Sequence, residues 1–150
     1  MQAELVRALV EGTAVPAEFD RQRLTAAAEA LWLKRARTVA RAWPQLARAM
    51  GEGFAVRFAN YARANPLPHD GNPLVDGRAF AGWLERAGLS TDEGRLEAFA
   101  FDARYRIGKN GLSRRRGPLL RFLRLKAMGR LIIVVRLPRL GEHWMNYKIL

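Results

Sequence analysis

Cysteine is absent from this chain of 150 residues, and histidine occurs only twice. The absence of cysteine excludes disulfide bonds, thiolate nucleophiles and sulfur-ligated metal centres. A run of about eighteen apolar residues is also missing, so the sequence predicts no membrane-spanning helix. The start, MQAELVRALVEG, lacks the basic region and the long apolar run of a signal peptide. Together these absences predict a cytoplasmic protein.

Acidic residues almost disappear from the C-terminal third of the chain. Residues 104–150 contain thirteen Lys or Arg and one acid, Glu142, whereas residues 1–103 contain thirteen residues of each sign. The whole net charge of +12 therefore lies in residues 104–150. Such segregation is typical of a protein that binds a polyanion. A coding bias is the alternative, because 22 of the 26 basic residues are Arg, but it does not explain the loss of acids.

Helical periodicity runs through the first two thirds of the chain, and residues 1–107 predict a bundle of five or six helices. The first is a short amphipathic helix at residues 2–11. The longest covers about residues 21–42, and Asp20 is its expected N-cap. Pro44 suits the first turn of the next helix, because the missing N–H of proline needs no partner there.

Two later helices are predicted from their cap signals. The loop at residues 65–75 contains three prolines and a glycine, and Asp76 is expected to cap the helix that follows. Ser90 with Glu93 matches a capping box for a helix that continues to Ile107.

Beyond these helices the sequence predicts a smaller, basic unit. Residues 108–118, GKNGLSRRRGP, are interpreted as a basic linker or exposed loop. Residues 119–150 predict a β-hairpin and a C-terminal tail, with strands at 119–128 and 131–137 around a turn at Gly129 and Arg130. Two strands alone are marginal in water, so the hairpin must lean on the helices, and it leaves strand edges available for pairing. The predicted fold class is mainly α (α+β), a helical bundle followed by a short C-terminal β-hairpin.

Groups that could perform catalysis are scarce. His69 lies in the proline-rich loop and His143 lies near the C-terminus, without the spacing of metal ligands. Ser90 and Ser113 are explained by a helix cap and a loop. Motifs of the GxSxG, P-loop and GxGxxG types do not occur. The sequence therefore predicts a protein that is not an enzyme and that has no cofactor or metal.

Residues 114–140 combine dense positive charge with a strand that is apolar on both faces. Two modes of binding are open. The arginines could neutralise the phosphates of a nucleic acid. Alternatively, a strand edge could accept an extended peptide, while the arginines select acidic side chains in it. Trp144 could stack on a ligand, and packing of the tail against the helices is the alternative. The candidate binding residues are Arg114, Arg115, Arg116, Arg121, Arg124, Lys126, Arg130, Leu131, Ile132, Ile133, Val134, Val135, Arg136, Arg139 and Trp144.

A family resemblance rests on four stretches of residues 1–107, namely FDRQRL, WPQLARAMGEGFAVRFANYARANP, GRAFAGWL and RLEAFAFDARYR. They resemble an N-terminal helical domain, labelled as DNA-binding, in bacterial partner proteins of multinuclear non-haem iron-dependent oxidases. Those oxidases modify ribosomally made peptides, as in methanobactin biosynthesis. The most recognisable parts are the aromatic-Pro-x-Leu step at 43–51 and the Tyr-x-x-x-x-Pro pattern at 61–66. The C-terminal RLIIVVRLPRLGEHWMNYKIL resembles a group of small actinobacterial proteins.

The resemblance implies a non-catalytic subunit that docks on such an oxidase and helps to present its precursor peptide. It implies no iron ligands here, because those partner proteins do not generally supply the irons. The leading hypothesis is therefore a partner subunit that binds the oxidase, its precursor peptide, or both, through the basic C-terminal strand edge. The alternatives are a DNA- or RNA-binding protein that uses the same basic segment, and a basic scaffold on an anionic membrane.

Overall fold

The computed structural model describes residues 21–68, 70–137 and 139–149. In that part of the chain five helices are followed by five strands, which confirms the predicted α+β class. The helix predicted at residues 2–11 and the cap predicted at Asp20 lie outside the described residues. The elements are α1 (Arg21–Ala42), α2 (Pro44–Met50), α3 (Gly53–Ala64), α4 (Pro73–Arg86), α5 (Asp92–Arg104), β1 (Tyr105–Gly108), β2 (Gly111–Arg114), β3 (Leu119–Leu125), β4 (Arg130–Leu137) and β5 (Gly141–Lys148).

The start of α4 differs from the prediction because another side chain provides its cap. The side chain of Asn72 accepts a hydrogen bond from the backbone N–H of Leu74 at 2.9 Å. Pro73 then occupies the first turn, where its missing N–H costs nothing. Asp76, the predicted cap, instead lies inside the helix and is only 1% exposed.

The two ends of α5 also differ from the prediction. Thr91, rather than Ser90, caps the helix by accepting a hydrogen bond from the backbone N–H of Gly94 at 3.1 Å. The helix ends at Arg104 and not at Ile107, because the next residues form β1. Aromatic and β-branched side chains favour a strand there, although their spacing also fits a helix. Residues predicted as a linker thus supply β2, and the division of the chain into three units stays a prediction.

The helical core is built around a cluster of aromatic rings. The ring of Phe58 lies 5.1 Å from that of Phe80 and 5.5 Å from that of Tyr61, both edge to face. Trp43 packs directly on α4 at Gly77, where a Cβ atom would lie only 2.1 Å from its indole. The buried members of this core are Ala36, Val39, Trp43, Leu46, Met50, Phe54, Phe58, Tyr61, Ala62, Phe80, Ala81, Leu84, Ala98 and Phe101.

A buried ion pair joins three of the helices. Arg35 of α1 donates hydrogen bonds at 2.6 and 2.7 Å to the carboxylate of Asp76 in α4. The Tyr61 hydroxyl of α3 donates to the same carboxylate at 3.1 Å. The bond to Asp76 raises the pKa of Arg35 despite its burial, and burial raises the pKa of Tyr61 to about 12. Because both charges are paired, the pair is tolerated inside the core.

Two antiparallel sheets follow α5. β1 pairs with β2, and the second sheet has the strand order β3-β4-β5. The predicted hairpin is therefore incomplete, because residues predicted as a tail form β5 and pair with the whole of β4. The predicted turn also starts too late, since β3 already ends at Leu125. Arg139 and Gly141, with φ of 72° and 82°, form the turn between β4 and β5.

One face of the three-stranded sheet packs on α5, and we refer to it as the inner face. Leu125, Ile132 and Val134 are buried on this face against Phe99 and Ala103. Strand side chains alternate between faces, so the residues between them form the outer face. The sheet is thus attached to the helices through α5 and is covered on one side by it.

Candidate binding site

A groove of about 500 Å³ lies beside the β1–β2 hairpin and the first residue of β3. We call it the arginine groove, because five arginines line it. A backbone hydrogen bond of 2.8 Å from Arg115 N to Arg104 O fixes the end of β2 against the end of α5. Guanidinium groups suit carboxylates and phosphates as ligands. The lining residues are Arg106, Ser113, Arg114, Arg115, Arg116, Gly117, Pro118, Leu119 and Arg136.

The five arginines divide into two that hold the fold and three that face solvent. Arg115 donates to the carbonyl of Tyr105 at 3.0 Å. Arg136 donates to the carbonyl of Arg115 at 3.0 Å and to that of Ala103 at 2.7 Å.

The guanidinium groups of the remaining three groove arginines make no hydrogen bond or ion pair with any residue that the structure describes, and all three residues are exposed; they are Arg106, Arg114 and Arg116. They are the groups that a ligand would find unoccupied.

The other predicted cations lie away from this groove. Arg121 points to the inner face, 3.5 Å from the carboxylate of Asp102. Arg124, Lys126 and Arg130 are exposed at the opposite end of β3, about 20 Å away at the usual rise per strand residue. Arg139 lies in the turn between β4 and β5 and is exposed as well. The predicted cations therefore do not form one site.

The predicted apolar residues are divided by the faces of β4. Ile132 and Val134 are 6% and 0% exposed and belong to the core. Leu131, Ile133 and Val135 lie on the outer face and are partly exposed. Because β3 and β5 flank β4 on its two sides, the open edges of this sheet belong to β3 and β5 instead.

Trp144 lies on the inner face and packs on the helical part. Its ring meets that of Phe99 edge to face at 5.8 Å, and its Nε1–H donates to Glu142 at 2.7 Å. Arg136 donates to the same carboxylate, and Arg104 lies 3.4 Å from it. Burial opposes ionisation of Glu142, but these hydrogen bonds and charges outweigh it and lower its pKa. The only acid of residues 104–150 thus ties the sheet to the end of α5.

Of the two histidines, only His143 lies in the part of the chain that the structure describes. His69 lies outside the described residues, and a ring nitrogen of His143 lies 2.9 Å from the carbonyl oxygen of Leu140. Within the described ranges, no three residues of the His, Cys, Asp or Glu types are grouped so that they could hold a metal ion. No helix among those residues is long and apolar enough to cross a membrane.

Two features of the surface were missed from the sequence. Arg106 lines the groove although it was assigned to a helix, and the hairpin signal at Gly108 and Gly111 could have revealed it. The apolar outer face was missed because β5 was not recognised. The alternation of side chains along β5, which places Met145 and Tyr147 on one side, is the signal from which this strand could have been predicted.

The arrangement defines a class of protein, a helical module that carries a basic antiparallel sheet. Residues 1–86 match the family described as SCO6045-like, C-terminal domain. The match covers more than half of the 150 residues, so the chain belongs to this family. It ends with the last residue of α4, which leaves α5, both sheets and the whole arginine groove beyond the matched residues.

A relative in Streptomyces avermitilis, described as a UPF0276 protein, is 42% identical over 91 residues. The matched region is 61% of this chain but only 18% of the relative. The chain therefore spans less than a fifth of that protein's length. No solved structure matches the chain.

Proposed function

We propose that this chain is a partner subunit without catalytic activity, which binds a multinuclear iron-dependent oxidase and its precursor peptide. The oxidase and the peptide come from the resemblance of the helical module. The observation that supports peptide binding most directly is the contact between a charged groove and an open strand edge. Leu119 is both a lining residue of the arginine groove and the first residue of β3.

The edge strand β3 can bind a peptide by adding it as a further strand. Edge strands present unpaired N–H and C=O groups, which give affinity without reading side chains. An added peptide that passes the start of β3 would reach Arg114 and Arg116, whose guanidinium groups are exposed. Those groups would select carboxylates at one end of the peptide. Affinity and selectivity would thus come from adjacent parts of one surface.

The relative from Streptomyces supports a role beside a larger protein. There the region similar to this chain makes up 18% of a longer polypeptide. In this proposal the larger partner is the oxidase.

The test uses the purified oxidase and its fluorescein-labelled precursor peptide. We expect a stable complex of chain and oxidase, and peptide modification that depends on adding the chain. The double substitution R114A/R116A should weaken peptide binding at least about tenfold, since hydrogen bonds to charged groups contribute about 1.5–3 kcal/mol each. The matched control is R37A/R48A, which removes the same charge from exposed helical positions. Absence of a complex, or equal peptide affinity for both double variants, would contradict the proposal.

Nucleic acid is the second candidate ligand, and the three unoccupied arginines of the groove favour it. Each phosphate contact contributes a slope of about −0.9 to the dependence of log K on log salt for duplex DNA. We expect that, if DNA is the ligand, R114A/R116A reduces this slope by about 2. A gel-shift series with duplex DNA and single-stranded RNA at 150 mM salt decides this. Lack of a shift with the wild-type chain eliminates this candidate.

A further inference from the structure

The outer face of the three-stranded sheet is apolar, and no element among the described residues covers its most exposed side chains. Leu120, Phe122 and Tyr147 are 60%, 59% and 50% exposed. Cross-strand pairing places Phe122 beside Ile133, and Ile133 beside Met145. The apolar side chains of this face are Leu120, Phe122, Leu131, Ile133, Val135, Leu137, Met145 and Tyr147, and the register also places Arg124 and His143 on it. Contiguous apolar patches of this kind mark interaction sites on folded proteins.

Positive charge surrounds this apolar face, and acidic groups are absent from it. Arg124 lies on the face itself, in register with Leu131. Lys126 is exposed in the turn at one end of the sheet, and Arg139 is exposed in the turn at the other end. Glu142, the one acid of these strands, points to the inner face, where Arg136 binds it. An apolar centre with a charged rim is the usual anatomy of a protein–protein interface.

We propose that the outer face is the docking surface for the partner enzyme, through a surface patch with apolar side chains inside an acidic rim. This inference rests on the proposed function, because the enzyme is the partner it requires. It assigns the enzyme to the outer face and leaves the β3 edge and the arginine groove to the peptide.

Charge and side-chain type favour this occupant over others. A second copy of the chain would bring the positive charges around two such faces, Arg124, Lys126 and Arg139 of each copy, against each other, which costs free energy. Bases of single-stranded nucleic acid stack on aromatic rings. Here six of the eight apolar side chains are aliphatic, and Phe122 and Tyr147 lie in different cross-strand rows. An aliphatic sheet face can pack on a protein surface at about 10 Å, as two sheets do.

The first test measures the affinity of the purified iron oxidase for two double variants. L120A/F122A removes the two most exposed side chains of the face, and L31A/V56A removes equally exposed side chains from α1 and α3. All four positions are at least 59% exposed, so both variants should keep the wild-type melting temperature. We expect L120A/F122A to raise the Kd at least about tenfold, as truncation of interface anchors does, and L31A/V56A to leave it within about twofold.

The second test concerns the acidic rim of the partner. R124E should raise the Kd for the oxidase at least about tenfold at 50 mM salt and less at 500 mM salt, because salt screens the new repulsion. Tighter binding by R124E would contradict the proposal that the partner has an acidic rim. An unchanged Kd at both salt concentrations would contradict it as well.

The outcomes separate this inference from the proposed function. If the wild-type chain binds no oxidase, both are overturned. If it binds and L120A/F122A binds equally well, only the docking surface is overturned. Two further measurements identify another occupant. Loss of binding to phosphatidylglycerol vesicles with an unchanged Kd for the oxidase would assign the face to a membrane. Conversion of a wild-type dimer into a monomer by L120A/F122A would assign it to self-association.

Discussion

The helical part and the C-terminal sheet bury their side chains in different ways. Among the described residues, the helical core contains fourteen buried residues, thirteen from the five helices and Trp43 between α1 and α2, whereas the core under the sheet contains five, supplied by α5, β3 and β4. The net charge also differs between the two parts, since residues 1–103 have a net charge of zero and residues 104–150 have a net charge of +12. The comparison indicates that stability is concentrated in the helices. The sheet keeps its edges, its groove and its outer face available for partners.

The largest loss of unfolding free energy should come from breaking the buried ion pair in the helical part. Asp76→Ala leaves the guanidinium of Arg35, 12% exposed, without its carboxylate. Removing one partner of a buried pair costs about 3–5 kcal/mol, and urea unfolding measures the loss. Glu52→Ala is the control, since Glu52 is exposed at the start of α3 and makes no side-chain cap; it should stay within about 0.5 kcal/mol. A loss under about 1 kcal/mol for Asp76→Ala would mean that the pair contributes little to stability.

A matched pair of leucines compares the two cores directly. Leu84 in the helical core is 0% exposed and Leu125 under the sheet is 1% exposed. Truncation of a buried Leu to Ala costs about 2–5 kcal/mol, depending on how far the surroundings can collapse. We expect Leu84→Ala near the upper limit and Leu125→Ala near the lower limit, because the thinner core relaxes more easily. Equal losses of unfolding free energy in the two variants would show that the sheet is as rigidly packed as the helices.

Much of the helical part could be predicted because its determinants are local. The stripe of Phe54, Phe58 and Tyr61 follows the helical period, and all three residues are buried as that period requires. The burial of Arg35 was harder to predict, because the helical period assigns this residue to the solvated side of α1. Its partner Asp76 lies 41 residues away, and spacing within one helix carries no information about such a contact.

The candidate site was predictable in composition but not in arrangement. Basic residues were expected together on an edge strand, yet pairing with β5 makes β4 a central strand, and packing of the inner face on α5 buries Ile132 and Val134. β5 was missed because its inner positions include Asn146 and Lys148, which hide the alternation of a half-buried strand. Only the register of three strands brings Leu120, Phe122 and their neighbours onto one face. That register is a non-local property of the chain.

Substitution of Gly77, which packs against Trp43, should change the unfolding free energy by an intermediate amount. Gly77→Ala would place a Cβ atom 2.1 Å from the indole, so the ring must shift in a core that is already filled. Overpacking of this kind costs about 1–3 kcal/mol. Gly82→Ala on the same helix is the control, because its Cβ would only reach the ends of two arginine side chains at 3.4 Å. That variant should be more stable than the wild type by up to about 1 kcal/mol, since alanine favours a helix. A gain of stability in Gly77→Ala, like the one expected for Gly82→Ala, would refute the contact.

The smallest change in unfolding free energy should come from Glu142, which lies at the junction of the two regions, and it should depend on pH. Glu142 accepts hydrogen bonds from Trp144 and Arg136, and its pKa is lowered from the ordinary value of 4.5. A carboxyl group with a lowered pKa stabilises the folded state above its unfolded-state pKa and loses that contribution as the pH falls through its folded-state pKa. Glu142→Gln should therefore cost about 1 kcal/mol at pH 7. The difference from the wild type should shrink as the pH falls below about 4.5.

Urea unfolding of the wild type and Glu142→Gln, followed by tryptophan fluorescence from pH 7 downward, measures this difference. Glu52→Gln serves as the control, because its side chain is exposed and caps no helix. Its difference from the wild type should stay within about 0.5 kcal/mol throughout. If the Glu142 difference were constant with pH, the ionised carboxylate would not be what holds the sheet against α5. Hydrogen bonding and packing that the Gln side chain disturbs would then account for the junction, and the sheet would stay attached in acid.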